Sequence, residues 1–285
     1  MQQRSRPPET REEERVCTSC STPFTAVIEI RTIAGREMTF GDRSACPSCR
    51  EKQLVEEELE AERGREEEIA GIRESLRRRA GVPQKFWDLT FDKWVEEREW
   101  KQTRAFKTLR RWVRDLPDPP LGYPSLILHS PKGHGKSALV ACAMNYLVDT
   151  WPVDPRSPVL PVRYETGPSL GLRVRATYNM REGDVQWRET EAEVYDSLRG
   201  VKLLVLDDVG DSEKEPKSAH TKRVYFHLID LRYRDNLPVL LCTNSIGQEL
   251  ESMIGEYAYD RLLEMAERVV TVAGFTRAQR LQGRS

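Results

Sequence analysis

The stretch that decides the fold is SLILHSPKGHGKSALVACAMNYLV, residues 125–148. It starts with a short apolar run typical of a buried strand, continues through a glycine-containing loop, and ends in an apolar segment, Ala138–Val148, that predicts a helix. The loop matches the phosphate-binding pattern G-x-x-x-x-G-K-[ST] at every position except the first, where Ser130 replaces glycine. Because the loop lies between a strand and a helix, as phosphate binding requires, we favour this interpretation over a chance glycine-rich turn.

The chemistry of nucleotide binding explains the residue types in this loop. Gly133 and Gly135 let backbone amides wrap closely around phosphate oxygens, and the N-terminus of the following helix favours an anion. Lys136 can reach the β- and γ-phosphates of ATP, while Ser137 can ligate Mg²⁺. Ser130 leaves the backbone geometry at the start of the loop open. The predicted nucleotide-binding residues of the loop are Ser130, Pro131, Lys132, Gly133, His134, Gly135, Lys136 and Ser137.

Further apolar runs alternate with helical segments along the rest of the chain. The strongest predicted strand is KLLVLDD (202–208), since a continuous apolar run suits a parallel strand that is buried on both faces. The runs VLPVRYE (159–165), PVLLCTN (238–244) and VVTVAG (269–274) predict three more strands. Strands separated by helical segments favour the α/β class, with a parallel sheet flanked by helices.

Two of these strands end in groups that could act on a nucleotide. Asp207 and Asp208 end the strongest strand, and ligands of open α/β sheets lie at the carboxyl ends of strands. If this strand neighbours the loop strand, Asp207 would hold Mg²⁺ through water, and Asp208 would orient or deprotonate the attacking water. Asn244, at the end of another strand, could touch the γ-phosphate or that water. The alternatives are an acidic strand end without a task and, for Asn244, ordinary turn chemistry.

Cysteine spacing predicts a metal site near the N-terminus. Four of the six cysteines form two Cys-x-x-Cys pairs, Cys17 with Cys20 and Cys46 with Cys49. Without a secretory signal, this pattern favours a metal over disulfides. Residues 26–40, between the pairs, predict a β-hairpin that lets four thiolates converge. Because protein would fill every ligand position, we expect a structural zinc in a small zinc-ribbon-like domain. Two disulfides and an iron–sulfur cluster are the alternatives.

Composition divides the chain into four segments. Residues 1–15 are polar and charged and predict a disordered tail, and residues 16–50 hold the cysteine pairs. Residues 51–80, rich in Glu and Arg, predict a charged helical linker, with a partner-binding or coiled-coil helix as the alternative. Residues 81–285 hold the phosphate loop and the strands, and they predict the nucleotide-binding domain.

The overall composition excludes several classes of protein. Lys and Arg number 45 against 46 Asp and Glu in 285 residues, so a uniformly basic protein is excluded. The apolar fraction is 38%, and there is no run of about 18 apolar residues that would predict a membrane span. Residues 1–16 lack the apolar core of a signal peptide, so we expect a cytoplasmic protein. Cys142 and Cys242, in apolar segments, are expected to be core thiols.

One interval between two predicted strands combines arginines with aromatic residues. Residues 169–189 read SLGLRVRATYNMREGDVQWRE, which is longer than one connecting helix needs. Basic residues interleaved with aromatics suit single-stranded nucleic acid, through phosphate neutralisation and base stacking. The alternative is an ordinary amphipathic helix pair with solvated arginines. The candidate DNA-binding residues are Arg173, Arg175, Tyr178, Arg181, Trp187 and Arg188.

The order of these motifs resembles that of an AAA+ ATPase core. The phosphate loop, Asp207-Asp208, Asn244 and the segment Asp260–Leu263 follow one another as in the DnaC/DnaI-type replicative helicase loaders and the related IstB-type transposition ATPases. The resemblance covers roughly residues 80–280 and also rests on GVPQKFWDLTFDKW (81–94). It implies an AAA+ P-loop NTPase fold.

The resemblance also implies roles for particular residues. Asn244 would be the sensor-1 residue, and Arg261 would be a finger that acts on the nucleotide of a neighbouring subunit. Arg232 and Arg234 match a basic patch typical of the family, and the N-terminal domain would grip the helicase. Lys136, Asp208, Asn244 and Arg261 are thus the candidate catalytic residues.

The leading hypothesis is an ATPase that loads a DnaB-type hexameric replicative helicase onto single-stranded DNA. ATP would be hydrolysed at the subunit interfaces of an AAA+ oligomer, with ATP, Mg²⁺ and Zn²⁺ as the bound groups. An IstB-like transposition helper that binds duplex DNA is one alternative, although the cysteine pairs argue against it. A low-turnover, ATP-switched scaffold is another, because Ser130 departs from the loop pattern and no sensor-2 arginine is evident.

Overall fold

The computed structural model describes residues 9–33, 36–40, 44–93, 104–116, 124–179, 189–211 and 217–272. The chain forms two compact units that divide between Ile69 and Ala70. This division falls inside the predicted linker 51–80, which is part of a single helix, α1 (Pro47–Ala80). Within the part of the chain that the structure describes, no helix is both long enough and apolar enough to cross a membrane.

An antiparallel sheet of three strands forms most of the first unit. Strands β1 (Glu9–Val16), β2 (Pro23–Ile33) and β3 (Arg36–Phe40) lie in the order β1-β2-β3. Strands β2 and β3 form the predicted hairpin, with Glu29 opposite Phe40 and Arg31 opposite Met38. The structure therefore confirms the β-hairpin between the two cysteine pairs.

Strand β1 corrects the prediction of a disordered tail over residues 1–15, which is wrong from residue 9 onward. Arg11, Glu13 and Arg15 recur at every second position, so they share one face of the sheet. Glu13 forms ion pairs with both arginines, on the face that carries the buried Ile28 of β2. Pairing with β2 thus stabilises a strand whose charged composition, taken alone, predicts disorder.

The second unit alternates strands with helices, as predicted. A 3-10 turn at Gln84–Phe86 precedes the helix α2. The remaining elements, in chain order, are α2 (Arg104–Arg114), β4 (Ser125–His129), α3 (Lys136–Thr150), β5 (Val162–Thr166), α4 (Gly167–Ala176), α5 (Glu191–Arg199), β6 (Leu203–Val209), α6 (Ala219–Arg234), β7 (Val239–Thr243), α7 (Gln248–Ile254), α8 (Glu256–Met265) and β8 (Ala266–Thr271).

Five parallel strands form the sheet of this unit, in the order β5-β6-β7-β4-β8. This confirms the predicted parallel α/β architecture. The acidic strand β6, however, does not neighbour the loop strand β4, because β7 lies between them. The carboxyl end of β7 therefore separates the two predicted halves of the nucleotide site, and residues at this end can contact both.

Alternate residues of the strands face two apolar layers. Leu203 and Val205 of β6 belong to the layer that contains α2 and α3, whereas Leu204 and Leu206 belong to the layer that contains α4 to α8. The same two-residue period places Asp207 on the α3 side of the sheet. Two cysteines that do not belong to the pairs, Cys142 and Cys242, are fully buried, which confirms them as core thiols.

Arg232 corrects the expectation of a basic patch, because this side chain is fully buried. Its guanidinium donates hydrogen bonds to the backbone carbonyls of Leu198, Val201, Lys202 and Pro238 at 2.8–3.1 Å. Leu198 lies in the last turn of α5, Val201 and Lys202 lie just before β6, and Pro238 lies just before β7. Burial lowers the pKa of Arg232 to about 9. The side chain is a structural clamp and not a surface charge.

Replacing Arg232 with methionine is expected to lower the free energy of unfolding by about 3 kcal/mol, because buried carbonyls lose their donors. Chemical denaturation of the full chain measures this change. Arg234→Met is the matched control, since the Arg234 side chain is 68% exposed, and its buried ion-pair partner Asp230 keeps the ion pair with Arg261. We expect it to change the stability by less than about 1 kcal/mol. Equal denaturation midpoints for Arg232→Met and the wild type would contradict the structural role of Arg232.

Candidate nucleotide site and candidate metal centre

The predicted phosphate loop connects β4 to α3 at the carboxyl edge of the sheet. Gly133 and Gly135 have φ angles of 84° and 86°, in the left-handed region that favours glycine. Gly135 directly precedes α3, and residues 131–133 are exposed. The loop thus presents its backbone to solvent at a helix N-terminus, where phosphate oxygens are stabilised by amide donors and by the helix dipole.

Ser130 occupies the first loop position without backbone strain. It is not among the described non-glycine residues that have a positive φ. The Ser130 N–H donates to the Thr243 carbonyl of β7 at 3.3 Å, and the hydroxyl donates to the Pro131 carbonyl at 3.2 Å. Because this backbone does not need glycine's conformational freedom, serine can start the loop in a regular geometry.

Lys136 reaches from the start of α3 to the end of β7. Its Nζ donates to the Ser130 carbonyl at 2.5 Å, to the Pro131 carbonyl at 3.2 Å and to Asn244 Oδ1 at 2.6 Å. Burial lowers the pKa of Lys136, and nearby anionic groups, including Asp207, oppose this shift. The structure therefore brings together Lys136 of the phosphate loop and Asn244 at the end of β7, the two residues predicted to approach the γ-phosphate from different elements.

Asp207 is 1% exposed, and both oxygens of its carboxylate are held. Oδ1 accepts the backbone N–H of Asp208 at 2.9 Å, and Oδ2 accepts the hydroxyl of Tyr164 at 2.9 Å. Burial, helped by the Asp207 charge, raises the pKa of Tyr164, so the phenol stays protonated and donates. Tyr164 was not among the site residues predicted from the sequence. Its position near the end of the predicted strand 159–165, together with its polar hydroxyl, is the one feature of the sequence that could have indicated it.

The backbone turns at Asp208. Asp208 has a φ of 54°, which is uncommon for a residue other than glycine but is tolerated by aspartate. The pairing of β6 with β7 is interrupted between Leu206 and Val209, around the same residue. Such rare backbone conformations cluster at functional sites, where they aim a side chain. The two aspartates thus differ in setting, since Asp207 is buried and held while Asp208 is half-exposed.

Arg261 lies on α8 and is held by α6. Its guanidinium forms an ion pair with Asp230 and lies over the rings of Phe226 and Tyr233, 5.2 and 5.5 Å from their centroids. The side chain is 29% exposed. A finger that acts on a neighbouring subunit needs an exposed guanidinium, whereas this one is bound within the chain but still reaches the surface. Acting on a neighbouring subunit requires it to exchange the Asp230 contact for a phosphate.

The candidate DNA-binding residues divide into two groups among those described. Arg173 is tied to the carboxylates of Glu165 and Glu189, so its charge is largely neutralised within the chain. Arg175 is exposed, and Tyr178 is 44% exposed. The predicted candidates that lie outside the described residues are Arg181, Trp187 and Arg188.

Tyr178 belongs to a small aromatic and basic cluster on the surface. The guanidinium of Arg223 from α6 lies 5.3 Å from the Tyr178 ring centroid and donates to its hydroxyl. The ring of His220 meets Tyr178 edge-on, with centroids 5.5 Å apart. This arrangement presents an aromatic face beside a positive charge, which is the combination that binds single strands without reading their sequence.

The four predicted cysteine ligands converge in the first unit. Their Sγ atoms all lie within 4.8 Å of one another, and those of Cys20 and Cys46 are 3.7 Å apart. Tetrahedral bonds of about 2.3 Å from zinc to thiolate place sulfur atoms about 3.8 Å apart. Four convergent sulfur donors therefore fit a four-coordinate ion with a preference for thiolates.

Local backbone structure shapes each half of this metal centre. The Ser21 N–H donates to the Cys17 carbonyl at 2.9 Å and closes the first cysteine turn, while the Arg50 N–H donates to the Cys46 carbonyl at 2.9 Å as α1 begins. Hydrogen bonding from the backbone of Cys46 lowers the pKa of Cys17 to about 6. A depressed thiol pKa favours the thiolate, which is the form that binds metal.

Comparison with known proteins gives matches among solved structures. No protein-family model matches the sequence, and a search of the curated proteins finds no match. AMPPCP-bound DnaA from Aquifex aeolicus matches at 17% identity and a TM-score of 0.50, over 71% of this chain and 55% of that chain. The replication initiator DnaA bound to AMPPCP and single-stranded DNA matches at 17% identity and a TM-score of 0.51, over 71% of this chain and 55% of that chain. DnaI matches at 19% identity and a TM-score of 0.50, over 70% of this chain and 99% of that chain.

At these identities the likeness shows the fold alone. The fold shared with the DnaA and DnaI structures is a five-stranded parallel sheet flanked by helices, and the first unit adds a small domain with a four-cysteine cluster. The structural neighbours include DnaI, one of the proteins that the resemblance in the sequence named, and also DnaA, which it did not name. The chain spans about half the length of the DnaA structures and nearly all of the DnaI structure, with 55% and 99% covered.

Proposed function

We propose that the protein is a replication ATPase that loads a DnaB-type hexameric helicase onto single-stranded DNA. The observation that carries the ATPase assignment is the contact between Lys136 Nζ and Asn244 Oδ1 at 2.6 Å, beside the buried Asp207. The lysine and the amide meet there at a phosphate loop, and the carboxylate of Asp207 lies close enough for its charge to oppose the lowering of the Lys136 pKa. ATP hydrolysis needs a set of groups of this kind. The DnaI and DnaA likeness supports a role in replication.

Each residue of the site has a role in this proposal. The loop amides and Lys136 bind the β- and γ-phosphates of ATP, and Asn244 contacts the γ-phosphate or the attacking water. Hydroxyl and carboxylate oxygens are the donors that Mg²⁺ prefers, so Ser137 and Asp207 would hold it. That ion neutralises charge on the phosphates when bound. Asp208 orients the attacking water, and Arg261 of a neighbouring subunit completes the site in an AAA+ oligomer.

The N-terminal unit is proposed to hold zinc and to dock the helicase. The four cysteines supply every ligand of a tetrahedral ion, so the zinc would be structural. The surface of the surrounding sheet is not distinctly basic, since β1 and β2 carry both glutamates and arginines. Such a mixture favours a protein partner over a phosphate backbone.

Single-stranded DNA is proposed to bind beside Tyr178. The exposed ring can stack on a base, and Arg175 and Arg223 can neutralise phosphates. Arg173 contributes to the position of α4 through its two carboxylate partners. The proposed site thus rests on Arg175, Tyr178 and Arg223 among the described residues.

A loading assay with the full chain tests the proposal. The protein, ATP and a DnaB-type hexamer are mixed with a single-stranded DNA circle, and helicase bound to the circle is separated by gel filtration. We expect the protein to increase helicase on the circle at least about fivefold, and single-stranded DNA to stimulate ATP turnover. Tyr178→Ala should weaken the stimulation by DNA, because base stacking contributes about 1–3 kcal/mol per base.

The alternatives are tested by replacing the helicase and the circle with a transposase and duplex DNA, and by measuring ATP binding and turnover. Capture of a transposase on duplex DNA, with no effect on the helicase, favours the IstB-like function. Tight ATP binding with turnover that neither DNA nor helicase changes favours the switched scaffold. Either result contradicts helicase loading.

A further inference from the structure

We infer that Tyr164 is a positioning residue that fixes the orientation of the Asp207 carboxylate for magnesium. The inference rests on the proposed ATPase function. It is carried by the hydrogen bond from the Tyr164 hydroxyl to Asp207 Oδ2 at 2.9 Å, which joins β5 to β6 near the carboxyl edge of the sheet, the edge from which the phosphate loop also starts.

The hydrogen bonds of Asp207 leave its carboxylate little rotational freedom. One oxygen accepts the N–H of Asp208 and the other accepts the phenol of Tyr164, both at 2.9 Å. Each oxygen keeps a further lone pair, which can accept a hydrogen bond from a water bound to the metal. The Asp208 donor belongs to the backbone of the strand itself, so Tyr164 is the side-chain donor that sets this orientation.

Tyr164 is itself held in place from two sides. Its ring packs against the apolar layer that contains α3, and the parallel register places Tyr164 beside Val205, two residues before Asp207. A Cβ at Gly81 would lie only 3.1 Å from the Tyr164 carbonyl oxygen, and Gly81 has a φ of 78°. Glycine at position 81 therefore permits a close approach of the chain to this strand, which limits movement of Tyr164.

A purely structural role does not account for the bond, because this fold tolerates a buried tyrosine without a partner. Tyr195 is 4% exposed, and its hydroxyl has no hydrogen-bond partner among the residues that the structure describes. A phenylalanine at position 164 would keep the ring packing and lose only the donor. Tyr195→Phe removes a buried hydroxyl in the other apolar layer of this unit, and it serves as the matched control.

The test measures magnesium dependence in the full-length protein. For Tyr164→Phe we expect the half-saturating Mg²⁺ concentration of ATP turnover to rise about tenfold, as is typical when a residue that orients a metal-binding group is removed. Turnover at saturating Mg²⁺ should stay within about twofold of the wild type, because the phenol contacts neither ATP nor the attacking water. Tyr195→Phe should leave both quantities unchanged, and both variants should keep the wild-type melting temperature within a few degrees.

A second measurement separates this inference from the proposed function. Mn²⁺ binding to the complex with a non-hydrolysable ATP analogue is followed by electron paramagnetic resonance. A tenfold weaker Mn²⁺ affinity in Tyr164→Phe supports the inference, even if the wild type hydrolyses no ATP. Absence of hydrolysis in the wild type would contradict the proposed ATPase function and not the role of Tyr164. Equal Mn²⁺ affinities and equal Mg²⁺ midpoints in wild type and Tyr164→Phe overturn the inference while leaving the ATPase intact.

Discussion

If the cysteine centre holds zinc as proposed, removing the ion is expected to unfold the sheet β1–β3 while the second unit stays folded. Among the residues that the structure describes, the apolar cluster at the centre has three buried members, Cys17, Ala45 and Cys46, so the ligands themselves form most of this core. Domains of this size bury too little apolar surface to fold without a metal or a crosslink. Structural zinc in small domains contributes about 10–16 kcal/mol of binding free energy at neutral pH, which is available only to the folded chain.

Hydrogen exchange and metal analysis check this prediction. After chelation, amides of β1–β3 should exchange about as fast as those of an unfolded chain, whereas amides of β4, β6 and β7 should keep their protection. Cys46→Ser should lose the zinc, and Cys142→Ser is the control, since Cys142 is buried in α3, in the other unit. Protected β1–β3 amides in metal-free protein contradict the prediction, and bound iron with sulfide identifies the iron–sulfur alternative.

The phosphate loop could be predicted from the sequence because its determinants are contiguous. The loop residues, the strand before them and the helix after them fall within residues 125–148, and each residue type is explained by local chemistry. Asn244 was predicted from its own strand end. Its contact with Lys136 depends on β7 lying next to β4, and strand order follows from the packing of the whole sheet, which no single segment encodes.

Residues missed by the sequence reasoning depend on distant partners. Tyr164 is 43 positions from Asp207, and Arg232 is 30–34 positions from its acceptors before β6. Tyrosine on a strand is usually a packing residue, and arginine on a helix is usually solvated, so residue type alone favoured the wrong environment for Arg232. Strand β1 was missed for a related reason, since its charges are stabilised by ion pairs and by pairing with β2 rather than by apolar burial.

Replacing Lys136 with alanine is expected to lower ATP turnover about 100- to 1,000-fold, which is the cost of removing one fixed donor that stabilises charge in a transition state. The ammonium already lies where the phosphates would bind, within 3.2 Å of the carbonyls of Ser130 and Pro131. When ATP enters, the γ-phosphate offers it a fully charged acceptor in place of neutral carbonyl and amide oxygens. The same charge is needed most when negative charge moves on the transferring phosphoryl group.

Turnover, nucleotide affinity and stability measured together separate this catalytic role from a structural one. Two of the acceptors that Lys136 leaves belong to residues that reach solvent, the exposed Pro131 and the half-exposed Asn244, whereas Ser130 is buried. Water can replace the ammonium at the first two, so Lys136→Ala should melt within a few degrees of the wild type. Lys107→Ala is the matched control, because Lys107 is an exposed lysine on α2 outside the site, and it should keep wild-type turnover. Wild-type turnover in Lys136→Ala, in a preparation that ion exchange has separated from other ATPases, contradicts the assignment. If Lys136→Ala loses turnover and also melts at a lower temperature, the result favours a structural role for Lys136. Alanine would then have destabilised the fold by removing the contact between the start of α3 and Asn244 at the end of β7.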